Sequence, residues 1–103
     1  MLIVTTNEVA GRRAEYLGLV SGDAIVGANV FRDLFARVRD IVGGRAGGYE
    51  NALRDAKAAA IDDMVREAEA LGANAILATD LDYETVGDSM LMVSASGTAV
   101  RLA

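Results

Sequence analysis

The chain has 103 residues, a formal charge of −5, 52% hydrophobic residues, and neither cysteine nor histidine. That is enough chain for one domain, and it excludes a disulfide framework, thiolate chemistry and any imidazole for metal binding or general-base catalysis near neutral pH. The acidic balance argues against a nucleic-acid role, which needs a concentrated basic face.

No stretch approaches the ~20 apolar residues of a membrane span. The short apolar run at "MLIVTT" has no basic region before it, unlike a signal peptide, so the expected compartment is the cytoplasm. Tyr16, Phe31, Phe35, Tyr49 and Tyr83 are the aromatic residues; alanine, valine, leucine and isoleucine supply most of the rest of the apolar content. Small side chains allow close backbone approach but bury little area each. A domain of this size buries roughly two-thirds of its unfolded surface, so such a chain gains from burying more in an oligomer.

In chain order, "LIVTT" at 2–6 is β-branched and reads as a strand, followed by a turn through "NEVAGRR". Residues 14–28 read as a long extended segment with Leu17 and Leu19 on one face. The break in alternation at Ser21-Gly22-Asp23 predicts a bulge or sharp bend there. Asn29 is a candidate N-cap, after which Phe31, Leu34, Phe35, Val38, Ile41 and Val42 recur at helical spacing. Gly43-Gly44 ends that helix.

A second helix is predicted from about Gly48 to Leu71. Tyr49, Leu53, Ala56, Ala60, Met64, Ala68 and Leu71 form its apolar stripe, Glu50 sits well at its positive end, and Gly72 is a C-cap signal. The remainder reads as a β-hairpin. Leu77, Thr79, Leu81, Tyr83 and Thr85 share one face, and Leu91, Val93, Ala95 and Ala99 share the matching face of the return strand. A three-residue loop, Gly87-Asp88-Ser89, pairs Tyr83 with Val93 and Leu81 with Ala95 and buries one consistent face, whereas a two-residue loop places Asp82 beside Val93.

The expected fold is one α+β domain over residues 1–103. It has two layers, a mostly antiparallel sheet with two helices on one face, and a C-terminal β-hairpin. Five ordered blocks, "EYLGLVSGDAIVGANVFRD", "DIVGGRAGGYE", "LGANAI", "DLDYETVG" and "MLMVSASGTAV", resemble the YbjQ-like family. These are small bacterial and archaeal proteins labelled as heavy-metal-binding, with no established biochemical role. The resemblance implies a two-layer α+β subunit assembled into a homopentamer, and it brings no agreed catalytic residues.

The chemistry-bearing candidates are few. "IVGGRAGGYE" is glycine-rich, but the lysine and hydroxyl of a phosphate-binding loop are missing and a helix precedes it. Gly43, Gly44, Arg45, Gly48, Tyr49 and Glu50 therefore have two readings. One is a small-anion site made by helix-start N–H groups and Arg45. The other is a helix connection whose Arg45 reaches a neighbouring subunit.

Asp80, Asp82 and Glu84 alternate along a strand about 6.8 Å apart on one face. They are the candidate ligands for a divalent cation such as Ca²⁺ or Mg²⁺, against the alternative of a solvated or interfacial acidic stripe. Three such short side chains converge poorly on one ion without a contribution from a second strand or subunit. Met90 and Met92 lie beside them and read as interface packing rather than a soft-metal site. Ser21, Ser89, Ser94, Ser96 and Thr98 have no histidine partner, and Lys57, the single lysine, sits on the polar side of its helix.

The expected face Ile76, Ala78, Asp80, Asp82, Glu84, Met90, Met92 mixes apolar and charged residues, as an interface does. The chain thus reads as a closed homo-oligomeric ring, with itself as partner and neither nucleic acid nor membrane. It reads as a binding or assembly protein for a metal ion or small anion at subunit junctions. The alternative is an enzyme that uses carboxylates at such a junction.

Overall fold

A computed structural model of the chain describes residues 1–27, 47–87 and 90–103, with no side-chain description at 47–50. The predicted first helix with its Asn29 cap, the Gly43-Gly44-Arg45 stretch, and Asp88 and Ser89 lie outside the described residues. The elements described are β1 (Leu2–Ile3), β2 (Ala14–Val26), α1 (Gly47–Ala70), β3 (Ala75–Val86) and β4 (Met90–Leu102). The four strands form one sheet in the order β1-β3-β4-β2. β4 runs antiparallel to both neighbours, while β1 pairs with β3 in parallel. The class is α+β as expected, but the sheet is mixed and one helix is described.

Helix α1 matches its predicted span to within a residue. Ala56, Ala60, Met64 and Ala68, each four residues from the next, are its buried stripe. Leu71, expected to extend the stripe, is exposed instead, because the helix has already ended. The end is a Schellman motif: Gly72 at φ 83° donates its N–H to the Glu69 carbonyl, and the Ala73 N–H reaches back to the Ala68 carbonyl. The helix lies mainly against β2. A Cβ on Gly22 would collide with the Ala60 carbonyl and the Met64 amide. Alanine on the helix and glycine on the strand thus let the two backbones touch. Met64, Val20, Val93, Ala95, Ala99 and Ile76 complete this core; burying a side chain such as Met64 contributes about 1.5–3 kcal/mol.

Two irregularities decide which residues face that core. The β2–β4 register shifts between Tyr16 and Gly18, leaving Leu17 as the extra residue. Leu17 packs on the helix side, whereas Leu19 points the other way and is 78% exposed. The two leucines do not share a face, and the expected break at Ser21-Gly22-Asp23 is absent: those residues pair in unbroken register with Ser96, Ala95 and Ser94. The irregularity falls four residues earlier than the sequence pattern suggested.

The second shift lies between Leu77 and Asp80. Ala78 adopts φ 53°, a conformation costly for a residue with a Cβ. It is held there from outside the hairpin: the Ala78 N–H donates to the Thr6 carbonyl at 2.8 Å and the Thr79 N–H to the Val4 carbonyl at 3.1 Å. Gly97 on the facing strand makes room, since a Cβ there would stand 2.5 Å from Ile76 Cγ2. The bulge reverses the alternation of β3. Ile76 therefore belongs to the helix-side core with Ala99. Leu77 joins Ala75, Val100 and Leu102 in a smaller cluster on the far side, capped by Val4, Val9 and Ala14. Ile76 and Ala78 leave the face on which they were expected, and Leu77 does not share a face with Leu81 and Tyr83.

The hairpin beyond the bulge has the predicted register. Tyr83 pairs with Val93, Leu81 with Ala95, and Val86 with Met90 around a three-residue loop that Gly87 enters at φ 65°.

Candidate functional site

Past the second bulge, one face of the sheet has no covering layer among the described residues. The pairing registers set its side chains in rows across β3, β4 and β2: Asp80, Ser96 and Ser21; then Asp82, Ser94 and Asp23; then Glu84, Met92 and Ile25. Val86 and Met90 close it at the hairpin end. The acidic side chains are exposed, and Ser94, Ser96, Met90 and Met92 are half-buried. Leu19 and Ile25, 78% and 61% exposed, flank the polar rows.

The expected carboxylates Asp80, Asp82 and Glu84 do share a face, with Met90 and Met92 beside them. Asp23 was missed by reading β2 as bent, and Ser94, considered as a nucleophile without a histidine partner, was not placed beside it. Unbroken alternation from Leu19 through Ser21, Asp23 and Ile25 was the signal that places Asp23 on this face.

The rows are locally organised. Ser94 Oγ donates a 2.6 Å hydrogen bond to Asp23 Oδ1, which orients that carboxylate over the central strand. The Asp23 backbone N–H donates to Asp63 Oδ2 of α1 at 3.2 Å, so the helix occupies one outward donor of this edge strand. Asp63 in turn pairs with Arg66 at 3.6 Å. Across the sheet, Asp82 is raised from its ordinary value, first by the charge of Asp80, then by a hydrogen bond with Asp80, desolvation and the charge of Glu84. No lysine or arginine of the three strands shares this face. The surface therefore carries a concentrated negative field that hydrogen-bond donors or cations can satisfy.

Heavy metals of the zinc type prefer thiolate and imidazole, and the chain contains neither. Asp82 and Asp23 stand two strand spacings apart, roughly 10 Å. Among the described residues no three acidic side chains gather closely enough to hold a metal ion. The donor set of the described residues does not fit a heavy-metal centre within one chain. Of the glycine-loop candidates, Gly48, Tyr49 and Glu50 fall in the first turn of α1; Gly43, Gly44 and Arg45 lie outside the described residues. Lys57 is exposed on α1, on the other side of the sheet from Ser94 and Ser96. No helix among the described residues is long and apolar enough to cross a membrane.

These features define a class: a small α+β domain whose sheet is packed by a helix on one face and presents an acidic, partly apolar second face. The chain belongs to the YbjQ-like family, whose model, described as "Putative heavy-metal-binding", matches residues 1–103. It is 55% identical over 103 residues to a Bacillus cereus protein called a UPF0145 protein, an alignment that covers 99% of this chain and 100% of that one. It also resembles the crystal structure of a protein of unknown function from Pediococcus pentosaceus, assigned to the DUF74 family. The TM-score is 0.66 at 17% identity, with 100% of this chain and 98% of the other covered. At that identity the likeness concerns the fold.

Proposed function

We propose that the protein is a self-assembling binding protein whose subunits cover one another's open sheet faces in a closed homo-oligomeric ring. A pentamer is the ring size that the family resemblance implies. The observation that carries the reading is the exposure of Leu19 and Ile25, at 78% and 61%, on a sheet face whose other face is well packed. Ile25 stands beside Met92, with Val86 and Met90 at the hairpin end of the same face, and an exposed apolar patch rimmed by polar residues is a mark of an interaction site. A heterologous contact that repeats and closes gives a ring. Small ligands of this assembly are bound at subunit junctions, where a second copy supplies donors that one subunit lacks. Oxygen donors of the acidic rows favour a hard divalent cation over a heavy metal.

A second reading, carboxylate proton transfer at such a junction, draws on the raised Asp82. Its test is turnover lost in Asp82→Asn with the ring intact.

Sedimentation of the purified protein at micromolar concentration tests the assembly. The expected result is a discrete oligomer, reduced to monomer by the double change Leu19→Ser and Ile25→Ser. A wild-type monomer overturns the reading, and so does a double variant that sediments as the wild type does.

A further inference from the structure

The segment that opens the chain is lightly held. None of residues 1–13 is fully buried, and β1 pairs with β3 over Leu2 and Ile3 alone. The Leu2 N–H donates to the Asn74 carbonyl at 3.2 Å and the Val4 N–H to the Ile76 carbonyl at 3.0 Å. Val4 and Val9, both half-buried, cover the small cluster of Ala75, Leu77, Val100 and Leu102. Thr5, Thr6, Asn7 and Glu8 are exposed. Beyond them the Arg12 N–H closes a turn onto the Val9 carbonyl at 3.1 Å, with Gly11 at φ 75°. Arg12 Nε is tied to the Ala103 carbonyl at 3.1 Å. The chain before Gly11 is thus a strap, anchored at Arg12 and laid over the start of β3. Segments with few buried contacts and exposed backbone open at lower cost than the whole molecule.

The strap touches β3 at its strained point. Ala78 stands at φ 53°, where its Cβ is costly, and its side chain is exposed, so no packing offsets the cost. Beside it, Thr79 Oγ1 is sealed from solvent with no hydrogen-bond partner among the described residues, a second cost at the same bulge. What holds this backbone is the strap: the Ala78 N–H donates to the Thr6 carbonyl at 2.8 Å and the Thr79 N–H to the Val4 carbonyl at 3.1 Å. Strain of this kind persists only where the surroundings over-determine it, and it collects in switch regions.

We infer that the strap and the Ala78 bulge form one two-state latch. In the docked state the carbonyls of Val4 and Thr6 hold Ala78 in the left-handed region. In the lifted state the segment before Gly11 swings away, Ala78 relaxes, and Leu77 and Val100 lose their cover, while α1 and the β2–β4–β3 sheet stay folded. The strain disfavours the docked state, so lifting takes less than unfolding. The coupling runs both ways, because whatever loosens the strap frees Ala78 and whatever relieves Ala78 tightens the strap. Asp80 is the first residue to pair again past the bulge, so the latch also governs how the head of the acidic row is held.

The experiment is native-state hydrogen exchange, read by NMR on the intact chain and corrected for intrinsic rates, in the wild type, Ala78→Gly and Val9→Ala. In the wild type the Val4, Ala78 and Thr79 amides are expected to exchange through one common opening, more populated by at least about tenfold than the opening that exposes Val93 and Ala95 of the central strand. Ala78→Gly is expected to slow exchange at Val4 by about five- to thirtyfold, the size of a relieved left-handed penalty. Val9→Ala loosens the seat of the strap without touching the bulge, and is expected to speed exchange at Ala78 and Thr79. Wild-type exchange of Val4, Ala78 and Thr79 only through the opening that exposes Val93 and Ala95 overturns the lifted state. Unchanged exchange at Val4 in Ala78→Gly, or at Ala78 in Val9→Ala, overturns the coupling.

Discussion

The two faces of the sheet are built on opposite principles. On the helix side, Val20, Val93, Ala95 and Ala99 are completely buried, and Gly22 removes even a methyl group so that helix and strand backbones touch. On the other side the same three strands present carboxylates, serines and exposed leucine and isoleucine at matching register positions. One face is complete within the chain and intolerant of volume change. The other is regular in backbone and has no covering layer among the described residues. Alternation along a strand allows one stretch of chain to do both.

That contrast predicts unequal responses to substitution. Met64→Ala on the packed side empties a fully buried position of α1 and is expected to lower stability by about 2–5 kcal/mol. Chemical denaturation with an unchanged slope would show it; a loss below about 0.5 kcal/mol, the range of ordinary surface changes, would mean the helix is not seated as described. Gly22→Ala adds one methyl group where the Ala60 carbonyl and Met64 amide stand. Its expected cost is about 1–3 kcal/mol, seen as a lower melting temperature, with the helix displaced from β2 rather than unfolded.

The smallest effect belongs to the open face. Asp82 is raised in the folded protein by its acidic neighbours, so the folded state holds the proton more tightly than the unfolded chain does. Its favourable contribution is present below the unfolded pKa and is lost as pH rises through the folded value. Asp82→Asn should therefore flatten the pH dependence of the melting temperature across the acid range and slightly favour the variant near neutral pH. Under the proposed assembly, this comparison is made in the Leu19→Ser and Ile25→Ser background, so that only folding is read. Identical pH profiles would show that Asp80 and Glu84 do not act on Asp82 as their placement implies.

Local pattern went far along the chain. Alanine at four-residue spacing with a terminal glycine defined α1, and the hydrophobic alternation of Leu91, Val93 and Ala95 selected the hairpin register. The acidic row Asp80, Asp82, Glu84 was legible because those three residues follow the bulge and keep an unbroken period of two. Asp23 and Ser94 were not recognised as members of the same surface. Their link, a 2.6 Å hydrogen bond between residues on different strands, depends on a register that β2 alone does not specify.

By itself, then, the amino-acid sequence determined the element types, the packing stripe of the helix and the absence of thiolate and imidazole ligands, because each depends on residue identity or on spacing within one element. Tertiary structure alone decided where the strands bulge, that β1 enters in parallel, and which apolar residues fall on each side of the sheet. The physical reason is that facing follows parity. One inserted residue reverses it, and the insertion at Ala78 is held by carbonyls of Val4 and Thr6, more than seventy positions away in the chain.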